Sequence, residues 1–237
     1  MQSVDRVLDV LEALAAAGAP LGVTEVARRA GLPQASTHRL LTALADRGYV
    51  RQDADRRYAV GLAALRLGDQ AYRELGALAL PHLRHAVVRT GETVNLAVLE
   101  GGLMVYVAQA PSPHTLRIFA EVGRRVPVHS TAVGKVALAG MSDHEAARLL
   151  GTRPMEARTP HTLTTREAVL AAVRRARVEG YALDDEEQEV GVRCVAVPVG
   201  VRAALSVSAP VERLSAEAAV GLVADLQEVA TDLARAF

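Results

Sequence analysis

Three groups of side chains in this sequence have the types and the spacing to do recognition chemistry. The first is Gln34, Ser36, Thr37, His38 and Arg39, within a stretch that reads as a helix. Its outer face offers short donors and acceptors for base edges and charge for phosphates. Arg51, Arg56 and Arg57 follow on what reads as a hairpin. From Arg28 to Arg57 seven Arg stand against Asp46, Asp53 and Asp55, a local net charge of +4. Such a patch suits a duplex backbone. The plainer reading is a three-helix bundle whose polar face is only solvated.

The second group suits a small anion. Ser130-Thr131-Ala132-Val133-Gly134 opens a helix, where free N–H groups and the helix dipole favour a carboxylate. Small Ala132 and Gly134 let a ligand approach the backbone. Ser206 and Ser208 lie two apart on a strand, so both hydroxyls face one side; a solvated sheet face is the alternative. Asp184 can accept from a ligand hydroxyl, whereas Asp185, Glu186 and Glu187 read as a solvated acidic turn. Ile118, Val122, Val126 and Val192 can supply an apolar wall. The third group is isolated. Cys194 reads as a buried small hydrophobe, His129 as a structural hydrogen-bonding residue, and Lys135 as a side chain snorkelling at a helix surface. No metal-ligand spacing is present, and no cofactor motif of the P-loop or GxGxxG type.

These groups need elements to hold them. In the first 60 residues, Val4, Val7, Leu8, Leu11 and Leu14 recur at helical spacing. A short second helix follows, with Thr24 able to cap it, and then the turn Gly31-Leu32-Pro33. A third helix spans Gln34 to Asp46, and the runs Tyr49–Gln52 and Arg56–Val60 flank a polar turn as a β-hairpin. Two helices across a short glycine turn with a hairpin behind them make a winged helix-turn-helix. Residues 61–77 read as a linker helix, with Leu62, Leu65 and Leu75 available to a second copy, and Leu78 to Arg89 as a further helix. Beyond Gly91, strands are expected at Val94–Leu99, Leu103–Ala108, Leu116–Glu121, Val126–Val128, Val195–Val199 and Ala203–Val207. Helices are expected at 131–140, after the capping box of Ser142 with Glu145, after Thr164 with Glu167, and from Ser215 to Ala236. Hairpin-linked strands with interspersed helices argue an α+β domain on an antiparallel sheet over 78–237.

Composition narrows the partners. Half of the 237 residues are hydrophobic and 27 basic residues balance 27 acidic ones, so any nucleic-acid surface must be local. One cysteine excludes an internal disulfide framework and a cysteine-based zinc ribbon. Two Phe, five Tyr and no Trp argue against single-strand binding by base stacking. The beginning of the chain carries Asp5 and Asp9 and no apolar signal core, and no apolar run reaches the roughly 18 residues of a membrane span. The expected location is the cytoplasm, with no membrane partner.

The order of short motifs resembles the IclR family of bacterial transcription regulators across essentially the whole chain. Val23-Thr24-Glu25-Val26-Ala27, Gly31-Leu32-Pro33, Ser36-Thr37-His38-Arg39-Leu40-Leu41 and Gly48-Tyr49-Val50 resemble its winged-helix reader. The C-terminal blocks are more specific: Gly91–Leu96, His129–Lys135, Thr162–Thr164, Gly180–Glu187, Gly191–Pro198 and Ala203–Ser208, in the family's order. The resemblance implies a GAF-like effector domain, double-stranded operator DNA as partner, and a homodimer or a dimer of dimers. Carried onto matching positions, the family's effector contacts fall on Ala132, Val133, Asp184, Val192, Cys194, Ser206 and Ser208, with Ile118 and Val126 beside them. The expected function is transcription control by a small organic acid. The alternative is a thiol-dependent enzyme using Cys194 with His129, against which the chain has no resolving cysteine.

Overall fold

The computed structural model describes residues 2–151 and 155–236; within its helices the side chains of Gln2, of 69–75, Leu75 among them, and of Ala77 lie outside the described residues. Contacts divide the chain into two units, Met1–Arg73 and Glu74–Phe237.

The first unit packs α1 (Gln2–Ala15), α2 (Val23–Ala30) and α3 (Gln34–Asp46) against a hairpin of β1 (Val50–Gln52) and β2 (Tyr58–Val60). Val10, Leu14, Val26, Leu41, Leu44, Val50 and Tyr58 form its core. Gly31 closes α2 in the left-handed region at φ +65, which turns the chain into α3. Gly22, not Thr24, occupies the N-cap of α2, and no side chain caps it. Gly61 is required behind the hairpin, because a Cβ there would lie 2.2 Å from the carbonyl oxygen of Gly48. The fold is thus a winged helix-turn-helix.

The second unit is an antiparallel sheet of six strands in the order β5-β4-β3-β8-β7-β6. The strands are β3 (Thr93–Glu100), β4 (Leu103–Ala110), β5 (Arg125–Pro127), β6 (Ala182–Asp185), β7 (Val192–Val199) and β8 (Ala203–Pro210). One sheet face, with Val94, Leu96, Val195, Val197, Leu205 and Val207, joins a core with Leu83 of α4 (Ala63–Thr90) and Leu226 and Leu233 of α9 (Val223–Ala236). The other face, with Ala97, Ala196 and Ala204, joins a core with α5 (Ala132–Ala139), α6 (Asp143–Gly151) and α7 (Arg166–Glu179). The architecture is α+β, with helices on both sides of the sheet.

Several expectations need correction. The linker helix and the helix after it are one helix, α4, running through Pro81. Burial of Ala79, Leu83 and Ala86 on the sheet outweighs the backbone bond that Pro81 cannot make. Leu116–Glu121 is not a strand. Pro111 and Pro113 open this segment, and side chains take its carbonyls: Thr93 Oγ1 donates to Ile118 at 3.0 Å and Gln109 Nε2 to Ala120 at 3.0 Å. The supposed acidic turn begins as strand β6, paired with β7 through Asp184↔Cys194. Thr165, one residue beyond Thr164, caps α7 by accepting from Ala168 N–H. The last helix breaks at Leu222 into α8 (Ala216–Gly221) and α9. The capping box of Ser142 and Glu145 is formed in both directions, at 3.0 and 3.3 Å.

Candidate functional site

The polar face of the first unit is built on α3. Pro33 supplies its extended N-cap, and Gln34, His38 and Arg39 project as exposed side chains, with Ser36 half-buried. Thr37 does not belong to that face. It is fully buried and its hydroxyl donates to the Pro33 carbonyl at 3.2 Å, because position 37 turns toward the core as Leu41 and Leu44 do. In the hairpin turn, Asp53 Oδ1 accepts from the backbone of Asp55 at 3.0 Å and of Arg57 at 2.8 Å. That Asx turn presents Arg56, at φ 59, and Arg57 as exposed side chains at the tip, with Arg51 exposed on β1. Arg57 also reaches the Pro20 carbonyl at 3.4 Å. Arg28 and Arg29 are drawn to Glu25 at 2.6 and 2.7 Å, which lowers its carboxyl to about 2. Glu25 lies just outside the window in which the local charge was counted, so these two arginines add less free positive charge than the count implies.

In the second unit, Ile118, Val126, Asp184, Val192, Cys194 and Ser208 line one cavity of about 40 Å³. Tyr106, Phe119, Ala120, Arg124, Gln188 and Glu189 complete its wall. The β6–β7–β8 register explains part of the grouping, since Asp184 pairs with Cys194 and Cys194 with Ser208. Ala132, Val133 and Ser206 are not on this wall. Ala132 and Val133 are 1% and 2% exposed and pack in the apolar core at the start of α5, where Thr131 Oγ1 already accepts from Gly134 N–H. Gly134 has no Cβ for a reason of space: one would lie 2.3 Å from the Val128 backbone. Ser206 Oγ is buried with no hydrogen-bond partner. A larger surface hollow of about 450 Å³ lies by Gly101, Gly140 and Arg148 and holds none of the expected effector contacts.

A polar network in the sheet supports the cavity. Asn95, fully buried on β3, donates to Ser208 Oγ at 3.2 Å, and Cys194 Sγ donates to the same oxygen at 3.2 Å. Asn95 Oδ1 accepts from Gln109 Nε2 at 2.8 Å. Gln109 also holds the Ala120 carbonyl and so ties the cavity wall to β3. Asn95 and Gln109 escaped the sequence reading; a polar side chain in mid-strand, between Val94 and Leu96, was the available signal.

The turn after β6 is equally anchored. Ser130 Oγ donates to Gln188 Oε1 at 2.7 Å, and Thr162 Oγ1 donates to the Glu187 carbonyl at 2.6 Å. Lys135 is 3% exposed and pairs with Glu187, so it does not snorkel and Glu187 is not a solvated turn residue. The other Glu187 oxygen, Oε2, has no partner. His129 Nε2 lies 3.1 Å from the Glu156 carbonyl and 3% exposed, a structural contact.

Burial governs the ionisable groups. It pushes Asp184 up to about 7, against the opposing pull of Lys135 and of two backbone N–H bonds. It raises the Cys194 thiol, with Asp184 adding to the shift, far above any thiolate range. That environment is the opposite of the one that activates a cysteine nucleophile. Among the described residues no His, Cys, Asp and Glu cluster could hold a metal ion, and no helix is long and apolar enough to cross a membrane.

Comparison with known proteins agrees with both units. The family described as "IclR helix-turn-helix domain" matches residues 3–54, and "Bacterial transcriptional regulator IclR C-terminal" matches residues 71–235. The HTH-type transcriptional regulator XynR of Escherichia coli (strain K12) is 34% identical over 100% of this chain and 97% of its own. The solved IclR transcriptional regulator of Alicyclobacillus acidocaldarius superposes with a TM-score of 0.86 at 28% identity, over 100% of this chain and 98% of that one. An IclR homologue of Microbacterium hydrocarbonoxydans, solved with 4-hydroxybenzoate, gives a TM-score of 0.79 at 26% identity, over 98% of both chains. The relatives are transcriptional regulators, which removes the thiol-enzyme alternative. With a winged helix-turn-helix in its first unit and an effector-type α+β domain in its second, the chain belongs to the IclR family of bacterial DNA-binding transcriptional regulators.

Proposed function

We propose that this regulator acts in the cytoplasm on double-stranded operator DNA under the control of a small organic acid bound in the second unit. The observation that carries the reading is the cavity itself. It gathers six of the nine expected effector contacts, apolar Ile118, Val126 and Val192 together with Asp184, Cys194 and Ser208. An apolar wall with a few convergent polar groups is the usual form of a small-molecule site. The related Microbacterium protein was solved with 4-hydroxybenzoate, an aromatic hydroxy acid. At about 40 Å³ the cavity is smaller than an organic-acid site, so binding one requires the wall to open.

On the DNA side, Gln34, Ser36 and His38 read base edges, while Arg39, Arg51, Arg56 and Arg57 meet phosphates. A homodimer, or a pair of dimers, supplies the two half-sites a single winged helix cannot cover. Exposed Leu62 (77%) and Leu65 (65%) at the start of α4 are apolar surface available to a second copy. Effector binding must favour one arrangement of the reading heads over another, since equal affinity for both shifts nothing.

Calorimetry with a panel of small hydroxy, keto and aromatic acids, followed by gel shift on DNA flanking the gene, tests the reading. An acid that binds and changes operator affinity is the expected result. Binding of only cations or large apolar molecules would overturn it. Light scattering should give at least twice the 25.1 kDa of the chain; a monomer that grips one half-site tightly would overturn the dimer.

A further inference from the structure

Three ionisable side chains are buried together where α5 faces the end of β6: Lys135, Asp184 and Glu187. Lys135 Nζ bonds directly to Glu187 Oε1. Among the described residues Asp184 forms no ion pair of its own. Its Oδ1 accepts backbone N–H groups from Glu187 at 2.9 Å and Gln188 at 3.2 Å, which fill that oxygen's acceptor positions. Cys194 on the adjacent strand β7, and Tyr106 of β4 on the same cavity wall, are neutral, each held protonated by burial. Arg124 and Glu189 on the cavity wall carry opposite charges. One buried ammonium therefore serves two buried carboxyls. A second ionised carboxyl would lack a counter-charge in a low-dielectric site, so one of the two keeps its proton. Lys135 sits on Glu187, which leaves the proton on Asp184.

The next polar side chain along this row of the sheet reaches the same state by a different route. Ser208 Oγ accepts from both Asn95 and Cys194, so its lone pairs are occupied and its own proton is the one it has to give.

We infer that the polar end of the cavity is a pair of hydrogen-bond donors, the Asp184 carboxyl O–H and the Ser208 O–H, and that it takes the carboxylate of a monoanionic acid together with the proton Asp184 retains. The inference rests on the effector reading above and sharpens it. It places the ligand carboxylate against Asp184 and Ser208, not at the start of α5 where the sequence pointed. It disfavours ligands whose polar end is an ammonium. Burial brings Asp184 to about 7, so its proton is at stake in the physiological range. Once Asp184 ionises, two carboxylates would meet, and affinity falls about tenfold for each further pH unit.

The test uses the full chain. Carbon-13 carboxyl NMR of the ligand-free protein follows the Asp184 signal, identified by its absence in Asp184→Asn. Calorimetry then measures 4-hydroxybenzoate, benzoate and lactate at pH 6 and pH 8, in two buffers of different ionisation enthalpy. The expected results are an Asp184 midpoint near neutrality, binding about tenfold weaker at pH 8, and uptake of about one proton there. Asp184→Asn keeps the acceptor oxygen for the turn and offers an N–H in place of the O–H. It should bind at both pH values as the parent does at pH 6. An Asp184 midpoint in the ordinary carboxylate range, parent affinity that is flat or rises with pH, or loss of binding in Asp184→Asn at pH 6 would each overturn the inference. Absence of heat from all three acids at pH 6, with Asp184 still protonated, overturns the organic-acid reading and with it the proposed ligand; the NMR midpoint tells the two failures apart.

Discussion

Asn95 on β3 and Ser208 on β8 are joined by a side-chain hydrogen bond of 3.2 Å. Through it a fully buried polar residue of β3 sets the polarity of a residue on the cavity wall. Ser206, one step back on the same face of β8, carries a hydroxyl with no partner at all.

The contrast between those residues gives opposite stability effects. Asn95→Ala removes one hydrogen bond each from Ser208 and Gln109 and should cost about 2 kcal/mol in urea unfolding. Ser206→Ala removes a buried polar group without a partner and should leave stability within about 0.5 kcal/mol of the parent or slightly above it. The double variant Ser206→Ala with Ser208→Ala should keep operator binding in a gel shift while losing the response to the effector. A double variant that still responds would remove both hydroxyls from the site.

On the DNA face, Arg39→Ala should weaken binding to all sequences and lower the slope of log affinity against log salt by about one. Ala at Gln34 and Ser36 together should relax sequence preference instead. Thr37→Ala belongs to neither class. Its hydroxyl and methyl are buried, so it should destabilise the first unit by about 1 to 2 kcal/mol in urea unfolding. Unchanged affinity in both the Arg39 and the Gln34–Ser36 variants would sink the assignment of this face.

The Lys135–Glu187 pair is buried, with side chains 3% and 11% exposed. Removing one partner leaves a buried charge without a counter-charge. Lys135→Met alone should therefore cost about 3 to 5 kcal/mol, whereas Lys135→Met with Glu187→Met should recover much of the loss. A double-mutant cycle in urea measures the coupling. Additive losses would mean that the two groups do not share one buried site.

Stability should also depend on pH through Asp184. Its folded pKa lies at about 7, above the ordinary value of 3.8, because burial penalises the ionised form. Below about pH 4 it is protonated in both states and contributes nothing. As pH rises toward 7 the unfolded chain releases the proton and the folded one holds it, so stability falls across that window and levels off above it. The loss reaches up to about 4 kcal/mol. Carboxyls such as Asp143, held low by Arg174 and Arg177, tilt stability the other way. The parent should therefore be compared with Asp184→Asn, in which the falling component is absent. Parallel pH curves for the two would contradict a raised Asp184.

Local patterns in the chain were enough for the elements of the first unit and for most of those in the second. Apolar spacing placed α1 to α3, glycine at 31 ended α2, and the Ser142–Glu145 box started α6, because each is settled within a few residues. Ordered motifs held Asp184, Val192, Cys194 and Ser208, which the structure brings to one cavity with Ile118 and Val126. What local pattern could not decide is which side chains are covered. Thr37, Lys135 and Glu187 are polar and were read as surface residues, yet all three are buried by elements remote in sequence. The side chains of Ala132 and Val133 pack into the core, off the cavity wall. Asn95 and Ser208 stand 113 residues apart, and only the pairing of β3 with β8 makes them neighbours. Burial, and with it the proton on Asp184, depends on the dielectric and the counter-charges that the folded chain assembles around a group, and those are properties of packing rather than of spacing along the chain.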